Sequence, residues 1–134
     1  MTIQYSETLR NNQLDQVEST AGTSAKLQIR TGAQPANCAA SDSGTLLAEI
    51  DLPSDWMNAA SAGSKTKLGT WTVAAAAAGT AAHFRIKNSA GTVCHVQGTV
   101  TITGGGGDMT VDNTSVASGQ TVTVNSFTIN AGNA

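Results

Sequence analysis

Charged residues are scarce in this chain. They make up 12% of its 134 residues, and the formal net charge is -2. Nucleic acids and anionic surfaces attract proteins through clustered Lys and Arg side chains, and the sequence contains neither such a cluster nor an acidic tail. The composition therefore predicts no direct contact with nucleic acid.

Large apolar side chains are also few. Aromatic residues make up 4% of the chain, and Leu, Ile, Val and Phe together number 24, against 21 alanines. No stretch approaches the roughly 20 apolar residues that a membrane-spanning helix needs, so we expect no membrane partner. The length fits a single domain, residues 1–134. We expect its core to be thin and assembly with other chains to add burial.

The two cysteines, Cys38 and Cys94, are too few for a disulfide framework. The first residues lack the basic start and apolar run of a secretion signal. We therefore expect a soluble protein, synthesised in the cytoplasm, with both thiols free. Cys94 is in phase with the apolar residues of a predicted strand and is expected to be buried, whereas Cys38 is expected to be accessible in a loop.

Patterns for catalysis and metal binding are missing. The sequence has no strained serine turn of the hydrolase type, and its nine carboxylates are scattered. His83, His95, Cys94 and Cys38 are residue types that bind zinc, but the neighbours Cys94 and His95 should point to opposite faces of one strand. We predict no catalytic residue, no metal and no cofactor.

The clearest pattern is a predicted hairpin, HFRIKNSAGTVCHVQGTVTIT, at residues 83–103. Apolar and polar residues alternate in both arms, which is the period of a strand with one buried face. A shared apolar face would place Phe84 opposite Val96, with residues 89–91 as the loop. The other face, predicted to meet solvent or a partner, then carries His83, Arg85 and His95, with Arg85 opposite His95.

Residues 6–21 form the one predicted helix. Ser6 can cap its first turn and Gly22 can end it. Its apolar face comprises Leu9, Leu14, Val17 and Ala21, and its other faces carry Asn11, Asn12, Asp15, Gln16 and Glu18. The helix is either an ordinary surface helix that covers an open end of the sheet or a docking helix.

The rest of the chain has the pattern of short strands separated by turns. Alternation predicts strands in AKLQIRTG, LLAEIDL, TKLGTWTV, DMTVD and TVTVNSFTIN. Residues 33–44 have the composition of a surface loop. In the last strand, a β-bulge near Asn125 or Ser126 would bring all apolar residues to one face.

The predicted fold is mainly β. We expect an antiparallel β-sandwich, jelly-roll or immunoglobulin-like, of about seven to eight strands with one N-terminal helix. Residues 1–22 would form the N-terminal arm and helix, and residues 23–134 the sandwich. Trp56 and Met57 stand among small polar residues, either as a plug over the edge of the sandwich or as an exposed apolar contact.

Five blocks of sequence carry a resemblance to known proteins: TLRNNQLDQV, AKLQIRTGAQPA, LLAEIDLP, GTAAHFRIKNSAGT and TSVASGQTVTVNSFTINAGNA. They span almost the whole chain, and each is a pattern of alternation and small residues. In these blocks the chain resembles small structural proteins of tailed bacteriophages. The resemblance implies a capsid cement or decoration protein, a compact β-sandwich on the outer surface of the head, often paired across a symmetry axis.

We therefore expect a non-enzymatic virion structural protein, synthesised in the host bacterial cytoplasm. Its partners would be the major capsid protein and further copies of itself. The residues predicted to contact them are Tyr5, Leu9, Trp56 and Met57, with the face of His83, Arg85 and His95 as the alternative. A different interpretation is a tail, fibre or carbohydrate-binding module, which usually needs exposed aromatic side chains that stack on sugar rings.

Overall fold

One helix and nine strands make up the regular structure of residues 3–134, the part of the chain that the structure, a computed structural model, describes. In chain order they are α1 (Glu7–Ala21), β1 (Lys26–Thr31), β2 (Leu46–Asp51), β3 (Ser64–Thr66), β4 (Thr72–Ala74), β5 (Gly79–Lys87), β6 (Cys94–Ile102), β7 (Met109–Val111), β8 (Ser115–Val116) and β9 (Thr121–Asn130). The prediction of a mainly β fold with one N-terminal helix is confirmed.

Helix α1 begins and ends where its sequence predicts. The side chain of Ser6 accepts a hydrogen bond from the backbone N–H of Leu9, which satisfies one of the free donors of the first turn. Gly22 ends the helix with a φ of 88°, in the left-handed region that glycine tolerates best.

The strands form one mixed sheet in the order β2-β1-β5-β6-β7-β9-β3, with β4 paired to β9 and β8 paired to β5. Neighbouring strands are antiparallel except β6 and β7, which are parallel. The prediction of antiparallel pairing throughout is therefore wrong at this pair. Glycine-rich residues 103–108 fold back beside the end of β6, and Gly104 and Gly106 allow this turn because both have a positive φ.

The sheet curls around its apolar core. The rings of Phe84 on β5 and Phe127 on β9 have centroids 5.4 Å apart, although β6 and β7 lie between their strands. In a flat sheet, strands three places apart would be separated by about 14 Å. The ring centroid of Trp71 lies 5.9 Å from that of Phe127 and 6.1 Å from that of Trp56, so the aromatic side chains meet inside the curl.

Strand β9 contains the predicted β-bulge. Thr110 of β7 pairs with Ser126, whereas the next residue, Val111, pairs with Val124. Asn125 is the extra residue, and it lets Val124 and Phe127 both point into the core.

The register of the central hairpin differs from the prediction. Phe84 lies opposite Gly98 instead of Val96, and residues 88–93 form the connection. The ring of Phe84 covers Gly98 so closely that a Cβ atom built there would be 2.8 Å from its Cε1 atom. The prediction is wrong because it paired large apolar residues with one another, whereas the ring packs over a residue that has no side chain.

The segment TKLGTWTV is not one strand. Its ends belong to β3 and β4, and Leu68 donates its backbone N–H to the carbonyl of Trp56 instead of to a strand. The chain breaks here so that Trp71 can turn fully into the core.

Candidate functional site

One side of strands β1, β5 and β6 forms a buried polar face. We define it by Gln28, Arg30, His83, Arg85, Lys87 and Gln97. His83 and Arg85 are only 1% and 2% exposed, so the prediction that they meet solvent is wrong. The reason is tertiary: the loop of residues 33–44 folds across this face and covers it.

Arg85 holds the 33–44 loop in place. Its Nη1 atom donates to the carbonyl of Ala40 at 3.1 Å and to Oδ1 of Asp42 at 2.5 Å. Its Nη2 atom donates to the carbonyls of Cys38 at 2.8 Å and Asn37 at 3.3 Å. Two more carbonyls accept from this face, those of Gly32 from His83 Nδ1 and of Pro35 from Gln97 Nε2. The loop backbone therefore supplies the hydrogen-bond acceptors that buried donors require.

Asp42 is the counter-ion of three cations. Besides Arg85, its carboxylate accepts from Lys87 Nζ at 2.6 Å and from Arg30 Nη2 at 3.2 Å. The side chains of these three cations are 2%, 8% and 11% exposed, respectively. Burial alone would raise the pKa of Asp42, but the hydrogen bonds from Lys87 and Arg85 outweigh it and hold the pKa below its ordinary value.

His95 does not share a face with His83 and Arg85. Lys87 pairs with Cys94 and Ile86 pairs with Val96, so His95 is an extra, bulged residue. The bulge places Cys94 beside Lys87, at the polar face, while His95 lies next to Val96 in a groove beside α1. The structure thus separates His95 from His83 and Arg85, which the hairpin pattern placed on one face with it.

The two cysteines lie at one cavity of about 640 Å³ between the 33–44 loop and the start of β6. Both are half-buried, so the prediction that Cys94 is buried is wrong, whereas Cys38 keeps part of the exposure that was predicted for it. Cys94 lies near Cys38, Arg85 and the carbonyl of Val96. Burial and the neighbouring Cys38 thiol raise the pKa of Cys94, and Arg85 opposes that shift.

Trp56 and Met57 are a plug and not an exposed contact. They are 0% and 1% exposed. Their backbone N–H groups donate to Oε2 of Glu18 at 2.7 and 2.9 Å, and Trp56 Nε1 donates to the carbonyl of Gly22 at 3.1 Å. Because both side chains are buried within the chain, they offer no surface to a partner, and a Trp56→Ala variant would report folding more than docking.

Helix α1 is anchored through part of its polar side, as a helix that covers the sheet would be. Asn11, Asp15 and Glu18 recur at the helical spacing of four and three. Asn11 accepts from the N–H of Gly63, and Asp15 accepts from the N–H of Ala60, each at 2.9 Å. The spacing was the available signal, but polar residues at that spacing are equally compatible with solvent.

Buried Lys65 completes this anchor. Its side chain is 2% exposed, and its Nζ atom lies 2.7 Å from Asp15 and 3.4 Å from Glu18. The hydrogen bond from Lys65 is the main reason that the pKa of Asp15 is lowered. Burial disfavours ionised Glu18, but the N–H groups of Met57 and Trp56 outweigh it, so its pKa is also lowered. Asp55 has a raised pKa because it hydrogen-bonds with Glu18.

The opposite side of the N-terminal region exposes apolar groups. Ile3 is 55% exposed and Leu9 is 44% exposed, while Tyr5 is half-buried and donates its N–H to the carbonyl of Asn133 at 2.6 Å. Leu9 lies on the same helical stripe as Gln13, Gln16 and Thr20. With Val17, His95 and Val96, these three polar residues line a groove of about 260 Å³ between α1 and β6. We call Ile3, Tyr5, Leu9 and this groove the N-terminal surface.

The aromatic side chains give little surface for stacking. Four of the five, Trp56, Trp71, Phe84 and Phe127, are each 2% exposed or less, and Tyr5 is half-buried. Among residues 3–134, no helix is long and apolar enough to cross a bilayer. In the same range, no group of three or more His, Cys, Asp or Glu residues is placed to hold a metal ion.

Comparison with known proteins identified no relative of this chain. No protein-family model, curated protein or solved structure matches the chain.

Proposed function

We propose that this protein is a non-enzymatic virion structural protein, a cement or decoration protein that binds the assembled head of a tailed bacteriophage and stabilises it. The observation that carries the proposal is the N-terminal surface, where Ile3 and Leu9 are exposed and the opposite side of α1 is anchored through Asp15 and Glu18 to the segment of residues 56–65. Exposed apolar side chains on a rigid element are typical of a protein interface.

The anchoring of α1 supports a docking role for its outer side. Asp15 and Glu18 bind the backbone of residues 56, 57 and 60, so the helix is already ordered before any partner arrives. Docking then costs less conformational entropy than it would for a flexible arm. The groove is lined by amide and hydroxyl side chains, by Val17 and Val96, and by the imidazole of His95, with no Asp, Glu, Lys or Arg among its lining residues, which fits a neutral protein surface better than an acidic or basic one.

The occupant that we propose for the N-terminal surface is the major capsid protein on the outer surface of the head. Each contact is small, but a shell repeats it many times, and binding only to the assembled shell stabilises that shell by mass action. We further propose that copies of the chain pair with one another on the shell. The finer architecture that we propose is a β-sandwich, and the contact between Phe84 and Phe127 across the curled sheet supports it.

Binding to heads that lack the protein tests the proposal. Such heads are mixed with wild-type protein or with the Ile3→Ala/Leu9→Ala double variant, and the bound protein is measured after sedimentation. Ile102→Ala is the matched control, because Ile102 is 51% exposed but lies at the far end of β6. We expect the double variant to bind at least tenfold more weakly, since each lost apolar anchor costs about 1 kcal/mol or more, and the control to bind normally.

The mechanical role is tested on the same particles. Heads loaded with wild-type protein should rupture at a higher temperature than bare heads, and heads mixed with the double variant should rupture near the bare value. Equal rupture temperatures for loaded and bare heads would contradict the cement role. If wild-type protein binds tails or fibres instead of heads, at a few to a few dozen copies per particle, the adhesive module is the correct interpretation.

A further inference from the structure

The fold brings together two cysteines that are far apart in the sequence. Cys38 lies in the 33–44 loop, where Arg85 Nη2 donates to its carbonyl oxygen at 2.8 Å. Cys94 is the first residue of β6 and pairs with Lys87, two residues after Arg85 on β5. Both cysteines line the same cavity, together with Arg85 and Lys87.

The backbone around both cysteines is held in place. Asp42 ties the loop to Arg85 and Lys87 through both of its carboxylate oxygens, and the bulge at His95 turns Cys94 toward the loop. Neither cysteine is shielded completely, since both are half-buried at a cavity that opens to solvent. A small oxidant that enters this cavity can therefore meet both thiols.

We propose that Cys38 and Cys94 form an intramolecular disulfide when the protein meets a low-molecular-weight disulfide such as oxidised glutathione. In the first step, the Cys38 thiolate attacks the small disulfide, forms a mixed disulfide and releases one small thiol. In the second step, Cys94 attacks the Cys38 sulfur, and the second small thiol leaves with the remaining proton. Two protein thiols are oxidised and one small disulfide is reduced to two thiols.

The order of the two steps follows from the environment of Cys94. Burial and the Cys38 thiol raise the pKa of Cys94, so Cys94 is mostly protonated at neutral pH and attacks second. Virion surfaces are oxidising environments, so the proposed function would supply a suitable setting. The disulfide itself does not depend on that function.

The new bond would fasten the 33–44 loop covalently to the sheet. It closes a long segment of chain, which restricts the unfolded state and raises stability. Because Arg85 and Asp42 already hold the loop in the same position, the oxidised protein should keep its fold. We expect its Tm to exceed that of the reduced protein by about 5 °C or more.

The test uses the full chain, reduced and then incubated with oxidised glutathione. Intact-mass measurement should show the loss of two hydrogen atoms and no glutathione adduct. A non-reducing peptide map should show the Cys38 peptide joined to the Cys94 peptide. The Cys94→Ser variant should retain a glutathione adduct on Cys38, because it has no second thiol to displace it, and the Cys38→Ser variant should form its adduct more slowly. The double serine variant should show no dependence of Tm on the redox state.

The wild-type peptide map decides the matter even if a serine variant fails to fold. Stable adducts on both cysteines, or covalent dimers in place of the intramolecular bond, would overturn the proposal. If the protein binds heads normally but forms no disulfide, the proposed function stands and the disulfide proposal is overturned. If the disulfide forms but the protein does not bind heads, the disulfide proposal stands and the proposed function is overturned.

Discussion

At the scale of single residues, the main surprise is a buried arginine on a strand face that alternation assigns to solvent. Arg85 is 2% exposed, and loop carbonyls and Asp42 satisfy both of its Nη atoms. A buried cation is tolerated only when hydrogen bonds and a counter-charge replace its hydration. The residues that could do so lie more than 40 positions earlier in the chain, so no local pattern around Arg85 could reveal them.

Asp42→Asn should destabilise the protein more than an exposed carboxylate does. Three cations lose their counter-ion, and the expected loss in the free energy of unfolding is about 2 kcal/mol, less than for a fully buried pair because water reaches part of Asp42. Asp51→Asn is the control. Asp51 pairs with Lys26 but is 73% exposed, so its loss should cost about 0.5 kcal/mol or less.

Urea-induced unfolding, followed by tryptophan fluorescence, measures both variants. Equal losses for Asp42→Asn and Asp51→Asn would show that Asp42 does not act as a buried counter-ion.

At the scale of elements, α1 is joined to the sheet through a polar contact as well as an apolar one. Leu14 and Ala21 are buried as the helical pattern predicts, but Leu9 is 44% exposed. The wide polar face is split between solvent and the segment around Trp56, whose backbone N–H groups donate to the carboxylate of Glu18. Carboxylates hold both this contact and the contact between Asp42 and the 33–44 loop's cationic partners. The stability of the protein therefore depends on pH.

Stability should fall as the solution becomes acidic. Asp15, Glu18 and Asp42 have lowered pKa values in the folded protein. Their contribution is therefore fully present above the unfolded-state pKa of about 4 and is lost as pH falls through the lower folded values. Asp55 acts in the opposite direction, because its pKa is raised; its contribution is lost as pH rises through its folded pKa.

Glu18→Gln tests the helix contact directly. The variant should lose about 1–2 kcal/mol of unfolding free energy at neutral pH, and its stability should decline less steeply between about pH 5 and pH 2 than that of the wild type. The measurement is urea-induced unfolding at a series of pH values. An unchanged slope in the variant would mean that Glu18 contributes nothing to the acid sensitivity.

At the scale of the whole molecule, the covered polar face and the curled core make β5 the best-protected strand. It lies between β1 and β6, with Phe84 and Ile86 buried on the core side and His83 and Arg85 buried under the loop. Such strands open only when most of the molecule unfolds. Strand β3, by contrast, has three residues and lies at the end of the strand order, where it pairs with β9.

Hydrogen exchange should rank the strands accordingly. Backbone amides of residues 83–87 should exchange most slowly, and those of residues 103–107 and of β3 should exchange much faster. Native-state exchange followed by NMR or mass spectrometry gives this order. Protection of β5 no greater than that of β3 would contradict the covered-face architecture.

Local pattern was enough to locate most elements. The cap at Ser6, the stop at Gly22, the alternation of β1, β2, β5 and β6, and the bulge near Asn125 could all be predicted from residues that are neighbours in the sequence. Each of these features depends on the conformation of a few consecutive residues and on which of them are apolar. The chemistry of those residues therefore predicts them without knowledge of the fold.

Tertiary structure alone decided the strand order, the register and the surfaces. Period-two alternation shows that a strand has two different faces, but a polar face can meet water or the backbone of a distant loop, and for Arg85 it meets the loop. The covering of Gly98 by Phe84 and the meeting of Cys38 with Cys94 likewise depend on contacts between remote segments. Such contacts form because the folded chain must satisfy its buried donors and fill its core as a whole, a condition that no single stretch of the sequence contains.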